Sequence, residues 1–129
     1  MNKIRNIIVL EDEEIVSLSI NSCLRHAGYN VLMSYSNVLD LLVYLKTNKI
    51  KPDLITVDIF LSTKTNGYQA VEIINDEFPE IKIIYISAYT DNETMKKIEN
   101  TTHAAFLKKP FKESTLLKTI ENINDLVLN

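Results

Sequence analysis

The sequence predicts an α/β protein, a doubly wound sheet of five parallel strands with helices on both faces. Short apolar runs alternate with longer segments of helical spacing, β then α, five times over. Three of the runs are nearly continuous Ile, Val and Leu, which suits strands covered on both faces rather than strands with one wet side. The 129 residues hold two glycines and three prolines, so no stretch reads as a linker, and one domain over 1–129 is expected.

The strand candidates are Ile7–Leu10, Val31–Met33, Leu54–Val57, Ile81–Ile86 and Ala104–Leu107. Between them lie the helical stripes. Val16, Ile20, Cys23, Leu24 and Ala27 share one face, and Gly28 stops that helix. Val38, Leu41, Leu42 and Leu45 form the second stripe; Ala70, Val71 and Ile74 form the third, which ends before Pro79. Met95 and Ile98 mark a short fourth helix, and Leu116, Ile120, Ile123 and Val127 mark the fifth. Right-handed crossovers restrict the topology, and the order 2-1-3-4-5 suits this length best.

Charge and composition narrow the function. Seventeen acidic residues against fourteen basic give a net charge of -3, which argues against direct nucleic-acid binding, because phosphate backbones attract basic surfaces. Cys23 is the only cysteine, so an internal disulfide is excluded and a reducing, cytoplasmic compartment is expected. The apolar run Ile7–Leu10 ends at once in Glu11-Asp12-Glu13-Glu14, too short for a signal peptide. No segment nears the ~20 apolar residues that span a bilayer.

In a doubly wound sheet, ligands bind beyond the carboxyl ends of the strands. Glu11 and Asp12 follow the first strand, Asp58 the third, Ser87 the fourth, and Lys109-Pro110 the fifth. Carboxylates that converge there repel one another, and a hard divalent cation with oxygen ligands, Mg²⁺ above all, relieves the repulsion. A carboxylate is also a nucleophile toward a phosphoryl group. A metal on one side and an ammonium on the other offset charge on the phosphoryl oxygens during transfer. The Ser87 hydroxyl can hydrogen-bond one of those oxygens afterwards. Taken singly, each residue has a plainer reading: Asp12 as a helix cap, Asp58 as a solvated strand end, Ser87 as a turn residue, Lys109 as a surface lysine, Phe106 as core. Their joint placement at successive strand ends favours chemistry.

The motifs resemble those of response regulator receiver domains. Ile7-Ile8-Val9-Leu10-Glu11-Asp12-Glu13 is similar to the family's acidic-pair motif, and Asp53 to Leu61 to its phosphoacceptor strand. Ile84-Tyr85-Ile86-Ser87-Ala88 is similar to the strand that ends in a switch Ser or Thr, and Phe106-Leu107-Lys108-Lys109-Pro110-Phe111 to the terminal Lys-Pro motif. The resemblance runs from about Ile4 to Leu126. It implies a flavodoxin-like receiver fold, three layers α/β/α. It implies that Asp58 accepts a phosphoryl group from a sensor histidine kinase or phosphotransfer protein. Glu11, Asp12, Asp58 and the backbone carbonyl of Phe60 would hold Mg²⁺. Lys109 would pair with the phosphoryl group across a cis bond to Pro110, Ser87 would move toward it, and Phe106 would rotate inward. The face made by the fourth helix, fifth strand and fifth helix would then meet a downstream protein, as a monomer or a phosphorylation-dependent homodimer. Such a protein is a signalling phosphoacceptor rather than an enzyme.

Glu11 stands where many members carry Asp. The stretch Ser62-Thr63-Lys64-Thr65-Asn66 before Gly67 is one residue longer than usual, and Asn66-Gly67 supplies turn chemistry. Phe60 and Tyr89, each two residues beyond a site residue, are expected to hinder attacking water and slow phosphate loss. The rival readings are a phosphorylation-independent pseudo-receiver, a flavin binder and a dehalogenase-like phosphatase. The last needs a second Asp where Phe60 stands.

Overall fold

The computed structural model describes residues 3–61, 66–88 and 90–128. Its elements alternate strictly: β1 Asn6–Leu10, α1 Glu14–His26, β2 Asn30–Tyr35, α2 Val38–Thr47, β3 Leu54–Asp58, α3 Gly67–Glu77, β4 Lys82–Ser87, α4 Asn92–Glu99, β5 Ala105–Lys108 and α5 Glu113–Leu128. The five strands are parallel, in the order β2-β1-β3-β4-β5.

The two-residue period of the strands divides the core into two layers. Ile7 and Val9, Leu54, and Ile84 and Ile86 face Ile20, Cys23 and Leu24 of α1 and Leu116, Ile120 and Ile123 of α5. Ile8 and Leu10, Ile55 and Val57, and Ile83 and Tyr85 face α2, α3 and Ile98 of α4. Every residue of β3 is buried, as its near-continuous apolar run requires.

Helix ends follow local chemistry. Gly28, at φ 95°, closes α1: its N–H donates to the Arg25 carbonyl at 3.0 Å, and that of Tyr29 donates to Leu24 at 3.0 Å. The Asn37 side chain accepts the Asp40 N–H at 2.9 Å to start α2, and Asp91 caps α4 by accepting the Thr94 N–H at 3.1 Å. The Lys51 ammonium donates to the Leu45 and Asn48 carbonyls at the end of α2.

Several boundaries differ from expectation: β1 begins one residue earlier, β3 ends one residue later, and β5 is shifted one residue later. Ala27 is the exposed C-cap of α1 rather than part of its apolar stripe. β4 runs one residue later, because Ile81, though buried, precedes the ladder that starts at Lys82. β2 is longer at both ends, since an edge strand tolerates the polar Asn30 and Ser34 that mask its pattern.

Asn66-Gly67 opens a helix instead of making a turn. Asn66 is the N-cap of α3, its N–H donating to Gln69 Oε1 at 2.9 Å. The part Ser62-Thr63-Lys64-Thr65 of the expected longer stretch lies outside the described residues.

Thr56, 1% exposed, sets a hydroxyl among the apolar residues of β3, and among the described residues that hydroxyl has no hydrogen-bond partner. A buried orphan hydroxyl destabilises, so Thr56→Val is expected to raise stability by about 1 kcal/mol. Urea unfolding of the two proteins would measure it; a midpoint that falls would mean the hydroxyl has a partner in solution.

Candidate functional site

Strand register assembles the site. Leu10 lies opposite Val57, so Glu11 and Asp58 stand side by side where β1 and β3 end. Asp58 pairs with Ile86 and Ser87 with Lys108, which brings Ser87 and Lys109 to the same rim. Two hydrogen bonds extend the ladders beyond the strands: Glu11 N–H to Tyr35 at 3.0 Å, and Lys109 N–H to Ser87 at 2.8 Å. The Lys109–Pro110 bond is cis, as expected.

One carboxylate oxygen each from Glu11, Asp12 and Asp58 lies within 4.8 Å of the others. Glu11 and Asp58 are buried and Asp12 half-buried. The Lys109 ammonium sits 3.0 and 3.2 Å from the two oxygens of Glu11 and 3.5 Å from Asp58 Oδ2. The other Asp58 oxygen accepts the Phe60 N–H at 3.2 Å.

Burial, and then the charge of Glu11, push the Asp58 carboxyl up from 3.8 to about 7, against the lowering pull of Lys109 and the Phe60 amide. Burial alone would lower the Lys109 ammonium, but its hydrogen bond to Glu11 and the charges of Asp58, Glu11 and Glu13 outweigh this and raise it.

The Asp58 carboxyl holds a proton in the folded state up to about pH 7, whereas the unfolded chain releases it near 3.8. The folded state binds more protons in that window, so this group's contribution is full at the acid end and is lost as pH rises toward 7. In metal-free buffer, Asp58→Asn is therefore expected to stabilise the fold more at pH 8 than at pH 5, read from melting curves at both. A pH-independent difference would contradict the raised carboxyl.

The donors suit a hard divalent cation: all are oxygens, and two of the three carboxylates are held in place by burial. Comparison with known proteins decides the lineage. The family model of the response regulator receiver domain matches residues 7–121. The chain belongs to the response regulator receiver domain family. Among curated relatives it is 28% identical over 107 residues to the transcriptional regulatory protein CrdR of Helicobacter pylori, covering 83% of this chain and 49% of that one. It is 23% identical to PdtaR of Mycobacterium tuberculosis, covering 91% of this chain and 55% of that one. The chain thus spans about half the length of the curated relatives it matches. In fold it is similar to a CheY-like receiver domain from Methanospirillum hungatei, with a TM-score of 0.85, 22% identity and 95% and 94% of the two chains covered. The receiver of a modulated diguanylate cyclase from Desulfovibrio desulfuricans gives a TM-score of 0.84, 23% identity and 95% and 98% coverage. Receiver domains are signalling proteins rather than classical enzymes, and they generally bind Mg²⁺.

The receiver geometry unites Glu11, Asp12, Asp58 and Lys109. Ser87 is fully buried at the end of β4. Phe106 is half-buried beside Tyr85 and packs on the core. The Phe60 side chain is 41% exposed, while Tyr89 lies outside the described residues. Two participants escaped the sequence reading. Glu13 lies 3.7 Å from Lys109, a contact hinted at only by the unbroken acidic run that contains it. Gly67 packs directly against the backbone of Asp58, and no sequence pattern signals that.

Proposed function

We propose that this receiver domain, over residues 1–129, accepts a phosphoryl group on Asp58 from a histidine kinase or phosphotransfer protein. The observation that carries the reading is the position of Asp58, clustered with two further carboxylates whose ligand oxygens lie within 4.8 Å of one another, and 3.5 Å from the Lys109 ammonium. Glu11, Asp12, Asp58 and the Phe60 carbonyl would hold Mg²⁺. When bound, the ion supplies charge that offsets the phosphoryl oxygens.

The chain's own groups do the rest. An Asp58 carboxylate oxygen attacks phosphorus in line; the donor's P–N bond breaks as the acyl phosphate O–P bond forms. Lys109 pairs with a phosphoryl oxygen, and the Ser87 hydroxyl donates to another. Phe106 then turns inward, and the face of α4, β5 and α5 presents a changed surface to a downstream protein. The compartment is read as cytoplasmic, and assembly as monomer or phosphorylation-dependent homodimer. Among the described residues, no helix is long and apolar enough to cross a membrane.

The test is intact mass after incubation with acetyl phosphate, with and without Mg²⁺. A single Mg²⁺-dependent phosphate adduct, labile to base, is expected. No adduct on the folded protein would sink the reading.

Phe60 shapes the lifetime of that adduct. Phe60 stands two residues beyond Asp58 and lines a cavity of about 230 Å³ with Tyr68 and Thr94. A ring near the acyl phosphate obstructs water, so Phe60→Asn is expected to speed spontaneous phosphate loss on the order of ten-fold, or about 1.4 kcal/mol of barrier. The decay of the adduct mass over time reads this out; equal decay in both proteins would place the ring away from the attacking water.

A further inference from the structure

The pocket already contains a cation of its own. Lys109 holds both oxygens of Glu11, at 3.0 and 3.2 Å, in a pair whose side chains are 15% and 1% exposed. Glu11 also belongs to the carboxylate cluster suited to a divalent ion. An ion held there would share that carboxylate with the ammonium, and two like charges repel at close range. Three acids lie within 4.0 Å of the ammonium among the described residues. Glu11 and Asp58 are cluster members, but Glu13 is not. It stands at the rim, 3.7 Å from the ammonium and 66% exposed. It is the one acid partner that can keep the ammonium without giving up a candidate ligand.

We propose that Lys109 is a resident counterion competing with the divalent cation for Glu11, and that Glu13 is a positioning residue that receives the ammonium as the cation enters. The inference rests on the metal-binding reading above. It makes Glu13 act through Lys109, whereas an ordinary exposed ion pair would leave metal affinity almost untouched.

The experiment is a titration of the full chain with MnCl2, following the free-ion EPR signal, in the absence of any phosphodonor. Lys109→Met is expected to tighten binding by roughly ten-fold, because a neighbouring like charge is gone. Glu13→Gln is expected to weaken it by about three-fold in the native background and to have almost no effect beside Lys109→Met, a coupling that a double-mutant cycle isolates. Glu14→Gln removes the same charge from the next residue and controls for long-range attraction. An equal effect of Glu13→Gln and Glu14→Gln, or an effect of Glu13→Gln that persists beside Lys109→Met, would overturn the proposal. Glu13 is exposed, so its variant keeps the test alive if Lys109→Met folds poorly. If the native chain binds Mn²⁺ and Asp58→Asn abolishes binding while Lys109→Met changes nothing, the competition fails and the metal reading stands. If no protein binds the ion, both fall.

Discussion

An Asp58→Asn variant is expected to take up no phosphoryl group under conditions in which the native chain becomes fully modified. The amide oxygen is a poor nucleophile and cannot form the acyl phosphate, so the rate should fall by more than ~10³-fold, over 4 kcal/mol of barrier. Intact mass after acetyl phosphate and Mg²⁺ checks it. The same variant is expected to be more stable than the native chain in metal-free buffer near pH 8. There Asp58 is forced to ionise in a buried position beside Glu11. Lost reactivity with gained stability is the mark of a residue kept for chemistry at a cost to the fold. Loss of both would mean that Asp58 serves structure, and an adduct that survives would move the acceptor elsewhere.

Gly67→Ala is expected to cost about 3 kcal/mol or more, the upper range for a side chain forced into a packed interior. A Cβ at Gly67 would collide with the Asp58 carbonyl oxygen and lie 2.8 Å from Val57 Cγ1 and 2.9 Å from the Ile59 Cα. Two of those contacts are backbone and cannot swing aside. The Gly67 N–H also donates to the Ile59 carbonyl at 2.9 Å, which ties the start of α3 to the segment just beyond Asp58. Relief of the clash must move either α3 or the end of β3. Urea unfolding should show a lowered midpoint, and acetyl phosphate labelling of the folded fraction should be slowed as Asp58 shifts. Stability within 1 kcal/mol of native, on the scale of an ordinary surface substitution, would show that the helix can back away freely.

Periodicity carried most of the architecture. Alternation of apolar runs and amphipathic stripes is a property of neighbouring residues, so the five βα units and their parallel, doubly covered sheet were legible. Failures fell where local signal is weak or overruled. The polar ends of β2 hid its length, and Ile81 resembled a strand residue although it only precedes one. Asn66-Gly67 has turn chemistry yet begins α3, because the glycine is needed for space.

The acidic pair, Asp58, Ser87 and Lys109 could be picked out because they follow apolar runs, and the rule that ligands gather beyond strand ends supplied their convergence. Sequence alone thus determined the fold class and the residues from which a site could be made. Tertiary structure decided the rest. It decided that Lys109 grips Glu11 more closely than Asp58, that Glu13 lies within 3.7 Å of that ammonium, and that Gly67 has no room for a methyl group. The physical reason is range. Patterning is set by bonds along the chain, whereas an ion pair between residues 11 and 109, or a gap between a helix and a strand end, exists only after the register of several strands brings distant atoms together.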